Sequence, residues 1–279
     1  MKTLIRKAFP RVCYPFSYLG QFIRPGIRVL MYHRVTDSLT YDQLTVSPSI
    51  FEKQMRYLSN NFNVISLDVA VNSLLSDSSN SNSVVITFDD GYLDNLENAL
   101  PVLNKYNLPA TIFVTTEFCD QTKSHSRYKT EQNRLHLDWD EVRALNECGN
   151  ILIGSHTVTH PYLSRINNVM AEKEIKKSKE IIEENLNLTI NHFCYPSGDY
   201  GNRELEYIKQ AGYESAVTVS PGKNRNTISL YEINRTEITQ KDTEKDLNLK
   251  LNGAFDWMHK VLHQKRKLEF KKMAFKTLD

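Results

Sequence analysis

The stretch VVITFDDGY, residues 84–92, joins an unbroken apolar run to two adjacent acids and a glycine. A short apolar, β-branched run of this kind predicts a buried strand. The acids stand directly after the strand, where a bend in the backbone can let both carboxylates face one pocket. One carboxylate could hold a cation there while the other handles a proton. The alternative for this motif alone is an ordinary Asp-Asp-Gly turn.

Strand patterns alternate with helical patterns on both sides of this stretch. The further predicted strands are 29–32, 64–65, 110–114, 151–153, 192–195, 215–219 and 229–233. The predicted helices are 48–58, 67–75, 93–105, 138–147, 167–185 and 203–211. Strands that alternate with helices predict parallel βα units, and these are numerous enough for a closed or nearly closed α/β barrel. Catalytic residues of such barrels sit at the C-terminal ends of strands.

A second motif, SHTVTH at residues 155–160, also follows a predicted strand directly. Histidines at i and i+4 share one face of a helical turn, so both imidazoles can reach one metal ion. Two histidines and one carboxylate leave open positions on the ion, which is typical of a catalytic site. The chain has eight histidines, so a chance pair is the alternative. Its place at a strand end, matching the acidic strand end, favours the metal site.

A third motif, FCYPSG at residues 193–198, ends another predicted strand. Its proline and glycine predict a tight turn, and a backbone N–H freed by that turn could point at a developing oxyanion. The alternative is a plain connection between strand and loop.

The ordered set TFDDG, HTVTH and YPSG resembles the polysaccharide deacetylases, the NodB-homology carbohydrate esterases. The resemblance covers residues 28–240. The segments YHRV at 32–35 and LDWD at 137–140 are similar to those of exopolysaccharide and poly-N-acetylglucosamine deacetylases. The resemblance implies an α/β fold, a distorted seven-stranded (β/α) barrel of the NodB-homology type.

The resemblance also implies roles for particular residues. Asp89 would be the catalytic base and His33 the general acid, although His33 could instead be a core histidine beside Tyr32. The backbone N–H of Tyr195 would bind the oxyanion. The metal, usually Zn²⁺ in this family, would be held by Asp90, His156 and His160.

One feature departs from the family pattern. Many members carry an arginine just before the proline of the third motif, where it orients the base, but this chain has Phe193-Cys194-Tyr195. We expect Arg235 to supply the missing guanidinium from elsewhere. Trp139 either walls the acetyl pocket or packs its helix.

Three regions are expected: a basic, aromatic N-terminal extension (1–27), the catalytic barrel (28–240) and a basic amphipathic tail (241–279). The tail would pack on the barrel or lie on an anionic membrane surface. The net charge of +2 argues against nucleic acid as a partner. The four cysteines include no C-x-x-C spacing and are expected as free thiols. The start of the chain lacks a convincing signal peptide, so a cytoplasmic protein, peripheral at the inner membrane face, is expected.

The expected function is hydrolysis of an N-acetyl group on a carbohydrate in surface polysaccharide or lipopolysaccharide synthesis. One alternative is a deacetylase or deformylase of a lipid- or nucleotide-linked sugar precursor. Another is an inactive homologue that binds sugar, which the intact metal motifs argue against. The polar stretch from Glu117 to Arg134 is expected to be a loop that sets substrate choice.

Overall fold

The apolar run that decides the fold forms strand β5 (Ser83–Phe88), all six residues of which are buried. The computed structural model describes residues 25–38, 42–76, 83–128, 133–262 and 264. Strand β5 pairs in parallel with β1 (Arg28–Tyr32) on one side and with β6 (Ala110–Val114) on the other. A strand between two parallel neighbours is covered on both faces, which explains its apolar sequence.

The parallel sheet curls into a nearly closed barrel. Its other strands are β7 (Ile151–Ser155), β8 (His192–Cys194), β9 (Ser215–Val217) and β10 (Arg235–Glu237). The strand order is β10-β1-β5-β6-β7-β8-β9, so the expected seven-stranded α/β barrel is confirmed. Between the two edge strands, Ile233 forms a parallel bridge with Val217, and the N–H of Arg235 donates to the carbonyl of Ser220.

Short strands and the helices complete the fold. The short strands are β2 (Arg34–Val35), β3 (Thr45–Val46) and β4 (Asn63–Val64). The α-helices are α1 (Pro48–Asn61), α2 (Leu67–Leu75), α3 (Leu100–Lys105), α4 (Thr116–Cys119), α5 (Trp139–Glu147), α6 (Asn168–Leu186), α7 (Asn202–Gln210) and α8 (Glu244–Leu251).

Two apolar clusters fill the two sides of the barrel wall. The larger one joins alternate strand residues such as Ile86 and Ile112 to the surrounding helices. The smaller one contains the intervening residues, among them Val85 and Phe113, together with the buried face of α2. Because side chains alternate across a strand, Asp89 extends the side of the barrel wall on which Val85 lies.

Two sequence predictions differ from the structure. The strand predicted at 229–233 is wrong: Leu230–Glu232 forms a 3₁₀ turn, in which Ser229 caps the N–H of Tyr231, and the strand begins at Arg235. The helix predicted at 93–105 starts with a π-helical turn, Asn95–Ala99, before α3. Pro101 has no N–H to donate, which accounts for the altered hydrogen bonding there.

The first part of the predicted tail packs on the barrel. Helix α8 buries Leu247 and Leu251, and the ammonium of Lys250 donates to the carbonyl of Glu237 (2.7 Å) and to Asp242 Oδ2 (2.6 Å). Residues 256–262 are helical. The predicted N-terminal extension up to residue 24 and the tail from 265 onward lie outside the described residues.

Two further predictions concern the thiols and the membrane. Cys119, Cys148 and Cys194 are free, as expected, and Cys13 lies outside the described residues. Within the described part of the chain, no helix combines the length and the apolar character that a membrane crossing requires.

Candidate active site

Polar side chains from several strands converge at one edge of the barrel. His33 follows β1, Asp89 and Asp90 follow β5, and His156 follows β7. All four line a cleft with a volume of about 200 Å³. The C-terminal ends of parallel strands meet at one edge of a barrel, so the topology alone brings these residues together.

The two acids face the same cleft because the backbone changes direction between them. Strict alternation would send Asp90 to the opposite side of the sheet from Asp89. Asp90 instead has a φ of 71° and Gly91 a φ of 58°, both in the left-handed region. A glycine suits the second position because side chains disfavour this conformation. Both acids are buried, with 3% and 2% exposure.

Arg235 occupies the position for which the sequence predicted a guanidinium. Its Nη1 and Nη2 donate to Asp89 Oδ1 and Oδ2 at 2.6 and 2.7 Å. Its Nε donates to the carbonyl of Thr218 (2.8 Å), and Nη2 also contacts Cys194 Sγ (3.1 Å). Burial is the largest influence on Asp89 and raises its pKa, but the guanidinium outweighs burial and holds the pKa below its ordinary value. Asp89 is therefore kept ionised.

Asp90, His156 and His160 form a cluster that fits a divalent metal ion. Asp90 Oδ1 lies 3.5 Å from His156 Nε2 and 3.3 Å from His160 Nε2. Neighbouring ligand atoms in a tetrahedral site with bonds of about 2.0–2.1 Å are about 3.3 Å apart. Asp90 Oδ1 is also buried without a hydrogen-bond donor among the described residues. A cation bound between these atoms would satisfy that oxygen.

The imidazoles are prepared for metal binding by their own neighbours. His156 Nδ1 lies 2.7 Å from the carbonyl of Cys194 and donates to it, so Nε2 is the nitrogen near Asp90. Burial lowers the pKa of His156, but Cys194 and Asp90 raise it well above its ordinary value, so a metal ion would displace a proton from Nε2. Burial lowers the pKa of His160 to about 3, which keeps this ring neutral. Burial raises the pKa of Asp90, but the histidines around it hold the pKa well below its ordinary value. An ionised carboxylate and neutral imidazoles are the forms that bind metals.

The two histidines of the HTVTH motif converge through a turn, so the predicted helical turn is wrong. Thr157 and His160 have φ of 72° and 58°. Glu174 of α6 holds the turn: its Oε2 accepts from the N–H groups of Val158 and Thr159, both at 2.9 Å. The carboxylate of a neighbouring helix thus replaces helical hydrogen bonds, which the motif itself could not reveal.

His33 lies beside Asp89 and not in the apolar core. Its Nε2 is 3.9 Å from Asp89 Oδ2, and it lines the cleft. Its Nδ1 is buried and has no hydrogen-bond partner among the described residues. This imidazole can reach a substrate that contacts Asp89.

The structure does not support the role predicted for Tyr195. Its N–H donates to the carbonyl of Val217 in β9 (3.3 Å), and its hydroxyl donates to the carbonyl of Tyr231. Ser197, two residues later, lines the cleft and has a φ of 55°. Gly198 must follow it without a side chain, since a Cβ there would lie 2.3 Å from a methyl group of Val219.

Trp139 is not among the residues that line the cleft. It is the first residue of α5, and its indole N–H donates to Asp120 Oδ1 (2.6 Å), which fits the helix-packing alternative. Two residues near the site were missed: His125, which lines the cleft, and His136, whose Nδ1 lies 3.0 Å from the carbonyl of Asp90. Both stand outside any spaced motif, so the sequence carries no signal for them.

The fold and the cleft define a barrel hydrolase in which a buried aspartate and several imidazoles surround the reaction site. The family model described as polysaccharide deacetylase matches residues 76–216, more than half of the chain. The chain belongs to the polysaccharide deacetylase family, whose members are carbohydrate deacetylases, hydrolases of carbon–nitrogen bonds other than peptide bonds.

Named relatives agree with this assignment. YxkH of Bacillus subtilis is 29% identical over 76% of this chain and 71% of its own length. The poly-beta-1,6-N-acetyl-D-glucosamine N-deacetylase of Staphylococcus epidermidis is 30% identical, and the match spans only about half of each protein, 49% of this chain and 48% of the relative. The solved structure of the Streptococcus pyogenes deacetylase PplD in complex with acetate has a TM-score of 0.71 and 23% identity. The match covers 81% of this chain and 98% of PplD and shows that the two proteins have a similar fold.

Proposed function

We propose that this protein is a metal-dependent N-deacetylase that acts on an N-acetylated hexosamine of a surface polysaccharide or its precursor. The observation that carries the proposal is the convergence of Asp90, His156 and His160 beside the Asp89–Arg235 pair in one cleft. Two separate functions, binding a cation and accepting a proton, are thereby assigned to two adjacent carboxylates.

The metal site would be formed by Asp90, His156 and His160, whose nitrogen and oxygen ligands suit Zn²⁺. A divalent ion held there would polarise the acyl carbonyl and lower the pKa of water toward about 7. The three protein ligands leave further positions open, as a catalytic site requires.

The protein's own residues would move the protons. Asp89, ionised and oriented by Arg235, would accept the proton of the attacking water. His33, beside Asp89, would protonate the leaving amine as the C–N bond breaks. The products are a carboxylate and a free amino sugar. The backbone N–H of Ser197 takes the oxyanion role expected of Tyr195, since Ser197 lines the cleft and the N–H of Tyr195 is bonded within the barrel.

The substrate class allows two alternatives. A formyl group would be hydrolysed by the same steps, and the sugar could be lipid-linked or nucleotide-linked. The name of the Staphylococcus epidermidis relative supports an N-acetylglucosamine polymer. An inactive sugar-binding homologue is disfavoured, because all the residues assigned to metal binding and proton transfer lie around the cleft.

We also propose a peripheral contact with an anionic membrane at the cytoplasmic face. The helical residues 256–262 support it: Trp257 and Val261, one turn apart, are 65% and 39% exposed, and Leu262 is 56% exposed. Lys260 adds a basic side chain, as in interfacial helices.

Co-sedimentation with vesicles containing anionic lipid tests this contact. Trp257→Ser should reduce binding, and no binding of the unaltered protein would contradict the proposal.

The enzymatic proposal is tested by release of acetate or formate from N-acylated sugars, soluble and lipid-linked, with and without added Zn²⁺. Asp89→Asn and His156→Ala should abolish release. The matched control is Asp256→Asn, which removes a carboxylate from the partly buried ion pair Arg28–Asp256 and should retain activity. No release from any substrate by protein that still binds the metal would favour the sugar-binding alternative.

A further inference from the structure

The loop between α4 and α5 brings another imidazole to the Asp90–His160 pair. One ring nitrogen of His125 lies within 4.8 Å of a carboxylate oxygen of Asp90 and of a ring nitrogen of His160. The rings of His125 and His160 meet edge to face, with centroids 5.0 Å apart. His125 also lines the cleft. A ligand in the cleft therefore meets this ring.

The position of His125 is coupled to the backbone of Asp90. The N–H of His125 donates to His136 Nε2 (3.2 Å), so the proton of a neutral His136 ring is on Nδ1. That Nδ1 lies 3.0 Å from the carbonyl of Asp90 and donates to it. The ring of His136 is fixed between Tyr92 and Phe118, with centroid distances of 4.8 and 4.4 Å. His136 thus fixes the position of the loop residue His125 relative to Asp90, which follows β5.

The hydrogen bonds of His125 distinguish it from a metal ligand. The N–H of Arg127 donates to His125 Nδ1 (3.2 Å), so a neutral ring carries its proton on Nε2. His156 shows the opposite arrangement: its Nδ1 donates to a carbonyl, so its Nε2 is the nitrogen that could bind a metal. His125 is therefore built to donate a hydrogen bond from Nε2.

The loop is also fastened to a second segment of the chain. The guanidinium of Arg127 forms an ion pair with Asp42 (3.4 Å), which is followed by two other residues that line the cleft, Gln43 and Leu44. This contact and the His136 bridge hold His125 from two sides, so little conformational freedom is lost when its ring meets a ligand.

We propose that His125 donates its Nε2–H to the acyl oxygen of the substrate and, after hydrolysis, to a carboxylate oxygen of the acid product. It would then be a substrate-contacting residue that binds the acyl oxygen, and not a ligand of the metal. This inference rests on the proposed function, because it assumes that an acyl group enters the cleft. A hydrogen bond to the charged product should be stronger than one to a neutral acyl oxygen.

The test measures two affinities for unaltered protein, His125→Leu and His125→Gln. Acetate is titrated into zinc-loaded protein by calorimetry, and zinc affinity is measured by competition with a chromophoric chelator. Leucine removes the donor, so acetate binding should weaken roughly 10-fold or more. Glutamine keeps an N–H donor at a similar reach and should restore most of the affinity. Zinc affinity should change by less than about 3-fold in both, since loss of even a residue that supports a metal ligand costs about 10–100-fold. His259→Ala, outside the cleft, controls for removal of a histidine.

The two measurements separate the possible failures. A loss of zinc affinity in His125→Leu of about 10-fold or more would mean that His125 binds the ion or supports one of its ligands, and would overturn the inference. Equal acetate affinity in unaltered protein and His125→Leu, or no acetate binding to either, would also overturn it. Failure of the deacetylase proposal shows instead as absence of release from every sugar, whatever the acetate and zinc affinities are.

Discussion

Replacing Arg235 with methionine removes the charge that keeps Asp89 ionised while leaving most of the side-chain volume. The guanidinium donates both hydrogen bonds of a bidentate pair with Asp89, and both residues are at most 3% exposed. Without it, the largest remaining influence on the Asp89 pKa is burial, which raises it. The carboxyl group then takes up a proton at pH values at which the unaltered protein keeps it ionised.

The size of the effect follows from the burial of the pair. Removing one partner of a buried ion pair lowers the free energy of unfolding by about 3–5 kcal/mol. Part of that cost is avoided when the carboxyl group takes up a proton. Since the guanidinium holds the pKa of Asp89 below its ordinary value and burial raises it, the acid limb of kcat/KM should move from below the usual range of an aspartate to above that range.

The assay is the pH dependence of kcat/KM for acetate release at saturating metal, with chemical denaturation in parallel. Arg28→Met is the matched control, because Arg28 is also buried and forms a bidentate pair, with Asp256, at 2.8 and 3.2 Å. Both variants should lose stability, but only Arg235→Met should shift the acid limb. An unchanged acid limb in an active Arg235→Met enzyme would refute the assignment of Asp89 as the base held by Arg235.

Two further predictions concern stability. Gly198→Ala should destabilise the protein by about 2–4 kcal/mol, because its Cβ would meet Val219 at 2.3 Å and its φ is 66°. Gly212→Ala, with a φ of 75° and nothing within 4 Å, should cost only about 1–2 kcal/mol in the same denaturation assay, and equal losses would contradict the steric argument. The hydrogen bond from His192 (2.6 Å) lowers the pKa of Asp68. Its contribution to stability is complete above an unfolded pKa of about 3.9 and is lost as pH falls through the lower folded value. The melting temperatures of unaltered protein and Asp68→Asn should therefore converge as the pH falls below about 4; a constant difference would exclude this linkage.

The barrel and its reactive edge could be predicted because local sequence encodes them directly. The run at 84–88 is buried on both faces, and the polar motifs stand at strand ends, where the parallel topology must bring them together. Sequence spacing could not reveal contacts made by distant residues. The predicted pair of histidines at i and i+4 is held by Glu174 from another helix. The N–H of Tyr195, which was predicted to bind the oxyanion, donates to a neighbouring strand.

Functional residues that belong to no sequence motif were harder to predict. Arg235 was expected only as the replacement for an arginine missing from the third motif, and the strand assigned before it proved to be a 3₁₀ turn. His125 belongs to no spaced motif, and its place in the cleft depends on His136 and on the turn that contains Arg127. Such positions are determined by loop packing, which leaves no periodic pattern in the sequence.

Stepwise metal reconstitution tests the central claim most directly. Metal-free protein is titrated with Zn²⁺ while bound metal and acetate release from an N-acetylated sugar are measured on the same samples, with Asp90→Ala and His160→Ala alongside. Activity should rise in proportion to the first equivalent of bound ion, and both variants should lose that tight site together with activity. Full activity in verified metal-free protein, or in a variant that no longer binds the ion, would contradict the account.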